Sequence, residues 1–100
     1  MSENFSSFKA FYPYYLDEHQ DLRCRRLHFV GSGLVIVALV LGFVHSPWWF
    51  VAMPVLGYGF AWIGHMVFEK NRPATFKYPL YSFAGDWMMF FDILRGRVKI

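Results

Sequence analysis

The sequence predicts an all-α membrane protein: a two-helix transmembrane hairpin with an interfacial helix before it and an interfacial or re-entrant helix after it. The chain of 100 residues is 56% hydrophobic and 22% aromatic, and a soluble domain this small could not hide so much apolar surface. No charged residue lies between Arg26 and Glu69. Since roughly 20 apolar residues cross a bilayer as a helix, this stretch is long enough for two passes.

The individual helices follow from aromatic, turn-forming and acidic residues. Tyr side chains, which favour the headgroup level, are concentrated near the N-terminus, where Pro13 indicates a break or kink. The turn of the hairpin is expected at 45–47. The last apolar stretch contains Asp86 and Asp92, which are costly at mid-bilayer, so it is not expected to cross. The predicted elements of a single membrane domain, 1–100, are an interfacial helix at 7–18, transmembrane helices at 27–44 and 48–68, and an interfacial or re-entrant helix at 79–94.

The distribution of Lys and Arg predicts the orientation in the membrane. These residues flank the uncharged stretch on both sides, and the turn between the two helices has none. Because cytoplasmic segments carry the excess of positive charge, both termini of this multi-pass protein are expected in the cytoplasm. The membrane would be the inner membrane of a bacterium or the endoplasmic reticulum of a eukaryote. The net charge of +3 then indicates contact with anionic lipids and not with nucleic acid.

Two histidines occupy mirror positions about the expected turn. His28 and His65 are equally distant from the point between Ser46 and Pro47, so a hairpin places them level at one membrane face. Ionisable residues inside membrane segments are functional by default. His19 joins them from the connector on the same side, whereas His45 is ~25 Å from His28 along a helix that rises ~1.5 Å per residue. Three imidazoles at one face predict a site for a divalent transition metal.

The identity of that metal does not follow from spacing. Imidazole binds zinc, copper, iron and nickel alike. Glu69 lies one turn after His65, so its carboxylate is a candidate ligand or a group that orients the imidazole. A set of histidines and a carboxylate with open positions is typical of non-haem Fe(II) oxygenases. A haem held between His28 and His65 also remains open at this point.

Four motifs, extending from about Phe8 to Val98, resemble those of a known family. They are Tyr15-Leu16-x-Glu18-His19; Arg25-x-Leu27-His28-Phe29-x-Gly31; Trp62-Ile63-Gly64-His65-x-x-Phe68-Glu69-Lys70-x-Arg72-Pro73-Ala74; and Asp86 with Asp92-x-Leu94-x-Gly96-Arg97. The family consists of small membrane proteins and contains the fungal 2-hydroxy fatty acid dioxygenase of the endoplasmic reticulum, which acts in the breakdown of phytosphingosine. The third motif is the most specific of the four.

The resemblance implies Fe(II)-dependent α-oxidation, in which a 2-hydroxy fatty acid and O₂ give a fatty acid one carbon shorter. Carried over to this chain, the metal ligands are His19, His28 and His65, and His45 matches no motif position. Glu69 is then the expected catalytic carboxylate, as a ligand or a base. Arg26 or Arg72 could hold the substrate carboxylate, because a guanidinium matches it in a bidentate way.

Two departures from the family pattern concern residues near these histidines. Cys24 stands where family members often have Asn, and Ser32-Gly33 stands where they often have Thr-Pro.

Two other classes of function also remain open: a membrane structural or interaction protein without catalysis, and a haem- or zinc-binding membrane protein. A hairpin with so little interior leaves a homodimer open as well.

Overall fold

The structure, a computed structural model, describes residues 5–100, and this part of the chain consists of helices and turns without a strand. The predicted all-helical class is therefore confirmed. Residues 1–4 of the predicted domain lie outside the described residues. The elements are α1 (Phe8–Asp17), α2 (Leu22–Val44), α3 (Trp49–Ile63) and α4 (Pro79–Leu94), with a π-helical segment (Gly64–Glu69) and a 3₁₀ turn (Ala74–Phe76) between the last two.

Two helical stretches are long and apolar enough to cross a membrane. They are α2, with 23 residues, and α3 with its π-helical extension, with 21 residues. α2 begins at Leu22, before the predicted start of the spanning segment, because the Asp21 carboxylate accepts a hydrogen bond of 2.8 Å from the Arg23 N–H and caps the helix. The helix thus includes the basic residues that were expected to precede it. α1 also continues through Pro13 without a break.

Glycines allow α2 and the following helix to approach closely, with the start of one beside the end of the other. A Cβ added to Gly31 would lie 2.9 Å from the Phe60 Cβ, and one added to Gly64 would lie 2.9 Å from the Cys24 Sγ. A Cβ on Gly33 would meet nothing within 4 Å. The close contacts at Gly31 and Gly64 bring His28 on α2 level with the beginning of the π-helical segment.

The π-helical segment shapes the end of the second long helix. A π-helix closes i→i+5 hydrogen bonds and so widens the turn that carries His65; such turns are frequent at functional sites. Lys70 follows the segment, and its φ of 58° is left-handed and reverses the chain. The Asn71 N–H then donates to the His65 carbonyl oxygen over 3.1 Å. The reversal therefore brings Asn71 back to the histidine.

An aromatic core joins α1 to α4 beside the two long helices. Its buried members are Phe11, Tyr15, Ala74, Met89 and Val98. A Cβ on Gly85 of α4 would lie 2.8 Å from the Tyr15 ring, so glycine is what lets α4 pack on that ring. This packing fixes Tyr15, and with it the connector that follows α1, against the start of α2.

Candidate metal centre

Three histidine rings from three different segments meet in the interior. The connector between α1 and α2 provides His19, α2 provides His28 and the π-helical segment provides His65; we call these the imidazole cluster. The Nε2 atoms are 3.1 Å apart for His19 and His28, 3.3 Å for His28 and His65, and 2.9 Å for His65 and His19. All three residues are buried. The structure thus brings the three predicted metal ligands together at one point.

Oxygen atoms face the other ring nitrogens of the cluster. The His19 Nδ1 lies 2.6 Å from the Tyr15 carbonyl oxygen, and the His65 Nδ1 lies 2.7 Å from the Asn71 Oδ1. The Asn71 amide is oriented by its own nitrogen, which donates to the Glu18 carbonyl oxygen over 3.2 Å. A carbonyl and an amide oxygen only accept hydrogen bonds, so the Nδ1 atoms of both histidines carry the proton. Their Nε2 atoms therefore present lone pairs.

Asp86 faces the third ring. Its Oδ1 lies 3.6 Å from the His28 Nδ1 and accepts a hydrogen bond from the Tyr15 hydroxyl. Burial raises the pKa of Asp86 to about 7, although the hydrogen bond from Tyr15 acts in the opposite direction. Acceptors on the outer nitrogen are the usual arrangement behind metal-ligating histidines, where they fix the tautomer and the orientation of the ring.

The donor set fits a single metal ion. The lone pairs on the Nε2 atoms of His19 and His65, which are 2.9 Å apart, repel one another unless a cation lies between them. Nitrogen ligands about 2.1 Å from one ion, at tetrahedral to right angles, are about 3.0–3.4 Å apart. Burial, with smaller contributions from His65 and Arg25, lowers the pKa of His19 to about 3, which keeps the ring neutral as a ligand must be. A porphyrin plane has no room between nitrogens 3.3 Å apart, so haem does not fit.

Cys24 occupies the place beside the cluster that the sequence suggested for Glu69. The thiol of Cys24 is buried, and its sulfur belongs with the three histidines to a group whose ligand atoms all lie within 4.8 Å of one another. The Glu69 carboxylate is not in this group. It accepts a hydrogen bond of 2.5 Å from the Asp21 N–H. Glu69 therefore ties the π-helical segment to the residue that caps the start of α2.

Two cavities adjoin the cluster. The larger, the apolar cleft, has a volume of about 340 Å³ and lies between α2, α3 and α4. It is lined by His28, Ser32, Val35, Met53, Pro54, Gly57, Tyr58, Ala61, Phe83, Asp86 and Trp87. The smaller, the polar cavity, has a volume of about 10 Å³ and touches all three histidines. His28, Ala61 and Asp86 line both, so the apolar cleft adjoins the imidazole cluster at its polar end.

Comparison with known proteins gives one match. The model of the family described as 2-hydroxy-palmitic acid dioxygenase Mpo1-like matches residues 5–98. The chain belongs to the Mpo1-like family. This membership confirms the resemblance that the sequence motifs indicated. No curated protein and no solved structure matches the chain.

In this Mpo1-like protein the two arginines predicted to hold the substrate lie away from the cluster, and so does His45, which the sequence had already excluded from the site. Arg26 and Arg72 are exposed, and neither lines the two cavities that reach the histidines. The guanidinium of Arg72 lies over the Phe76 ring, 5.5 Å from its centre. His45 is exposed at the opposite end of α2, where its Nδ1 accepts a hydrogen bond of 3.1 Å from the Trp49 indole. The structure therefore brings none of these three side chains to the imidazole cluster.

Asn71 was missed in the sequence although it contacts the cluster directly. It occupies a variable position between Lys70 and Arg72 in the third motif, and no periodicity marks it. A local signal could have indicated Asn71. An asparagine just after the end of a helix can fold back onto that helix, and here the helix carries the predicted ligand His65. The left-handed Lys70 makes this return possible.

Proposed function

We propose that this protein is an Fe(II)-dependent membrane dioxygenase that converts a 2-hydroxy fatty acid to the fatty acid one carbon shorter. One observation carries the proposal: three buried imidazole Nε2 atoms converge at the polar end of an apolar cleft. Three nitrogen ligands on one face of an ion leave further coordination positions open. Membership of a family described as 2-hydroxy-palmitic acid dioxygenase Mpo1-like supports the substrate class.

In this proposal α2 and α3 form a hairpin that crosses the membrane. The outward faces of both helices are apolar and exposed, most strongly at Phe43 and Val44, which are 78% and 74% exposed. Such side chains suit contact with lipid. The Arg25 guanidinium donates to the carbonyl oxygens of His19 and Lys99, which supports placing the C-terminal tail on the same side as the imidazole cluster. Excess positive charge assigns that side to the cytoplasm.

Each group of the site has a distinct role in the proposed reaction. The imidazole cluster holds the ion, and when bound, Fe(II) supplies the redox chemistry by which O₂ oxidises the substrate. The oxygens behind His19 and His65 keep those two rings in one tautomer. The apolar cleft holds the acyl chain and excludes water, so that carbon 2 lies at the cluster. Overall, one 2-hydroxy fatty acid and one O₂ give one shortened acid, one CO₂ and one water, so the atoms balance.

Turnover by the iron-loaded protein tests this function. The purified protein is loaded anaerobically with Fe(II), mixed with 2-hydroxypalmitate and then exposed to O₂. We expect the C15 acid, about one iron per chain and no Soret band. Palmitate, which lacks the 2-hydroxyl group, is the matched control and should give no product. Absence of C15 acid from protein with properly bound iron would show that the substrate assignment is wrong.

A closed zinc site is the second candidate. The buried Cys24 sulfur beside three imidazoles favours it, because structural zinc is held by four nitrogen and sulfur ligands in a tetrahedron. Such a site would stabilise the fold without catalysis. Metal analysis of protein purified without added metal, combined with turnover after removal of that metal and reloading with Fe(II), discriminates the two functions. Zinc at one per chain and no turnover by the Fe(II)-loaded protein support the structural role.

A further inference from the structure

Two buried hydrogen-bond donors near the imidazole cluster lack a protein partner. The Trp62 Nε1 and the Ser82 Oγ are shielded from solvent, and neither makes a hydrogen bond within the part of the chain that the structure describes. Ser82 as a whole is only 1% exposed. Buried polar groups are nearly always paired, so two orphaned donors at one place indicate a ligand, an ion or a water that completes them.

The two residues that carry these donors line the same small cavity. Trp62 lies on α3, one turn before His65, and Ser82 lies on α4, one turn before Asp86. Together with the imidazole cluster they line the polar cavity, whose volume is about 10 Å³. That is close to the space that one water-sized group occupies. The indole N–H can only donate, so the group that completes it must be an acceptor.

The polar cavity lies next to the apolar cleft. The two share His28, Ala61 and Asp86, and the cleft offers about 340 Å³ of largely apolar space. A ligand that fills both spaces needs an oxygen acceptor in the polar cavity and a long apolar tail in the apolar cleft. No Lys or Arg lines either cavity, so neutral groups must bind the oxygen.

We infer that the Trp62 N–H and the Ser82 O–H bind a carboxylate oxygen of the 2-hydroxy fatty acid; this inference rests on the proposed function. The pair positions the acid group at the imidazole cluster while the acyl chain lies in the apolar cleft. The two donors therefore select a free acid over a long-chain alcohol of the same length, because hydrogen bonds to a charged carboxylate oxygen are stronger than those to a neutral hydroxyl oxygen. Trp62 and Ser82, and not Arg26 or Arg72, recognise the head of the substrate.

Binding measurements under anaerobic conditions test this without turnover. The dissociation constants of 2-hydroxypalmitic acid and 1,2-hexadecanediol, which differ in the carboxyl group, are measured for the Fe(II)-loaded full chain in detergent micelles. The variants are Trp62→Phe, which keeps an aromatic ring beside Tyr58 and Phe76, and Ser82→Ala. Trp49→Phe at the far turn and the exposed Ser6→Ala are the matched controls.

We expect each test variant to bind the acid about tenfold or more weakly, as for the loss of a hydrogen bond to a charged group. Binding of the diol, whose hydroxyl oxygen is a neutral acceptor, should weaken less. Equal affinity of the wild type and both variants for the acid would mean that the polar cavity holds a structural water only, which overturns the inference. Equal weakening for acid and diol would overturn it too. A wild type that binds neither compound contradicts the proposed function instead. If Trp62→Phe does not fold, as judged by circular dichroism, Ser82→Ala decides alone.

Discussion

His65 and Asn71 are joined twice across the left-handed turn at Lys70. The Asn71 N–H donates to the His65 carbonyl oxygen over 3.1 Å, and its side-chain oxygen lies 2.7 Å from the His65 Nδ1. The amide nitrogen of the same side chain donates to Glu18, the residue before His19. Asn71 therefore positions two members of the imidazole cluster at once.

Replacement of Asn71 by Ala should weaken metal binding without removing a ligand. We expect an affinity about 10–100-fold lower, which is the usual cost of losing a group that orients a ligating imidazole. Competition with a chromophoric chelator measures the change. Gln20→Ala, at an exposed position in the same connector as His19, is the control and should bind metal as the wild type does. Equal affinity of Asn71→Ala and the control would exclude a positioning role for Asn71.

Removal of any one imidazole of the cluster should abolish stable metal binding. We expect His19→Ala, His28→Ala and His65→Ala to lose bound iron, because two nitrogen donors hold an ion far more weakly than three. His45→Ala is matched in chemistry but lies at the opposite end of α2, and it should keep about one iron per chain. Elemental analysis after desalting gives the stoichiometry. Iron retained by all three test variants would place the ion elsewhere.

Gly31 should be sensitive to an added methyl group, and Gly33 should not. The Cβ of Gly31→Ala would lie 2.9 Å from the Phe60 Cβ and 3.2 Å from the Leu56 carbonyl oxygen, so backbone must shift. We expect a loss of about 1–3 kcal/mol in the free energy of unfolding, as for overpacking elsewhere. Gly33→Ala meets nothing within 4 Å and should fold at least as stably as the wild type. Thermal unfolding in micelles, followed by circular dichroism, compares the two.

Tyr12 should contribute stability that is lost at alkaline pH. Its hydroxyl donates to the Asp92 Oδ2 over 2.8 Å, and burial together with this hydrogen bond raises the pKa of Tyr12 above its usual value. Tyrosine in the unfolded chain ionises near pH 10. Above about pH 10 the unfolded state loses this proton while the folded state keeps it, so the free energy of unfolding falls as pH rises. The contribution is fully present below that pH.

Tyr12→Phe should therefore lower the free energy of unfolding by about 1–3 kcal/mol at neutral pH and flatten the alkaline decline. Chemical denaturation in micelles at pH 7, 9.5 and 10.5 measures both effects. Tyr81→Phe removes a hydroxyl from the same aromatic region and serves as the control. A Tyr12→Phe variant whose stability declines as steeply as that of the control would contradict the assignment.

Much of the helical framework follows from the sequence because its signals are local or periodic. The absence of charge between Arg26 and Glu69 is enough to predict two long apolar helices. The equal distance of His28 and His65 from the turn predicts that they lie level, since helices of equal rise keep mirror positions together. The structure brings their Nε2 atoms to 3.3 Å.

The surroundings of the imidazole cluster depended on tertiary structure. Cys24 and not Glu69 joins the histidines because Gly64 lets the sulfur approach, and this close contact between two helices has no periodic signal. Asn71 reaches His65 only through the π-helical turn and the left-handed Lys70. Asp86 reaches the cluster because α4 packs on the Tyr15 ring at Gly85. The sequence by itself thus determined the apolar helices and placed His28 and His65 at the same height. The packing of α4 and the reversal after α3 decided which residues surround the three histidines. These surroundings could not be predicted, because contacts between distant segments leave no regular spacing in the chain.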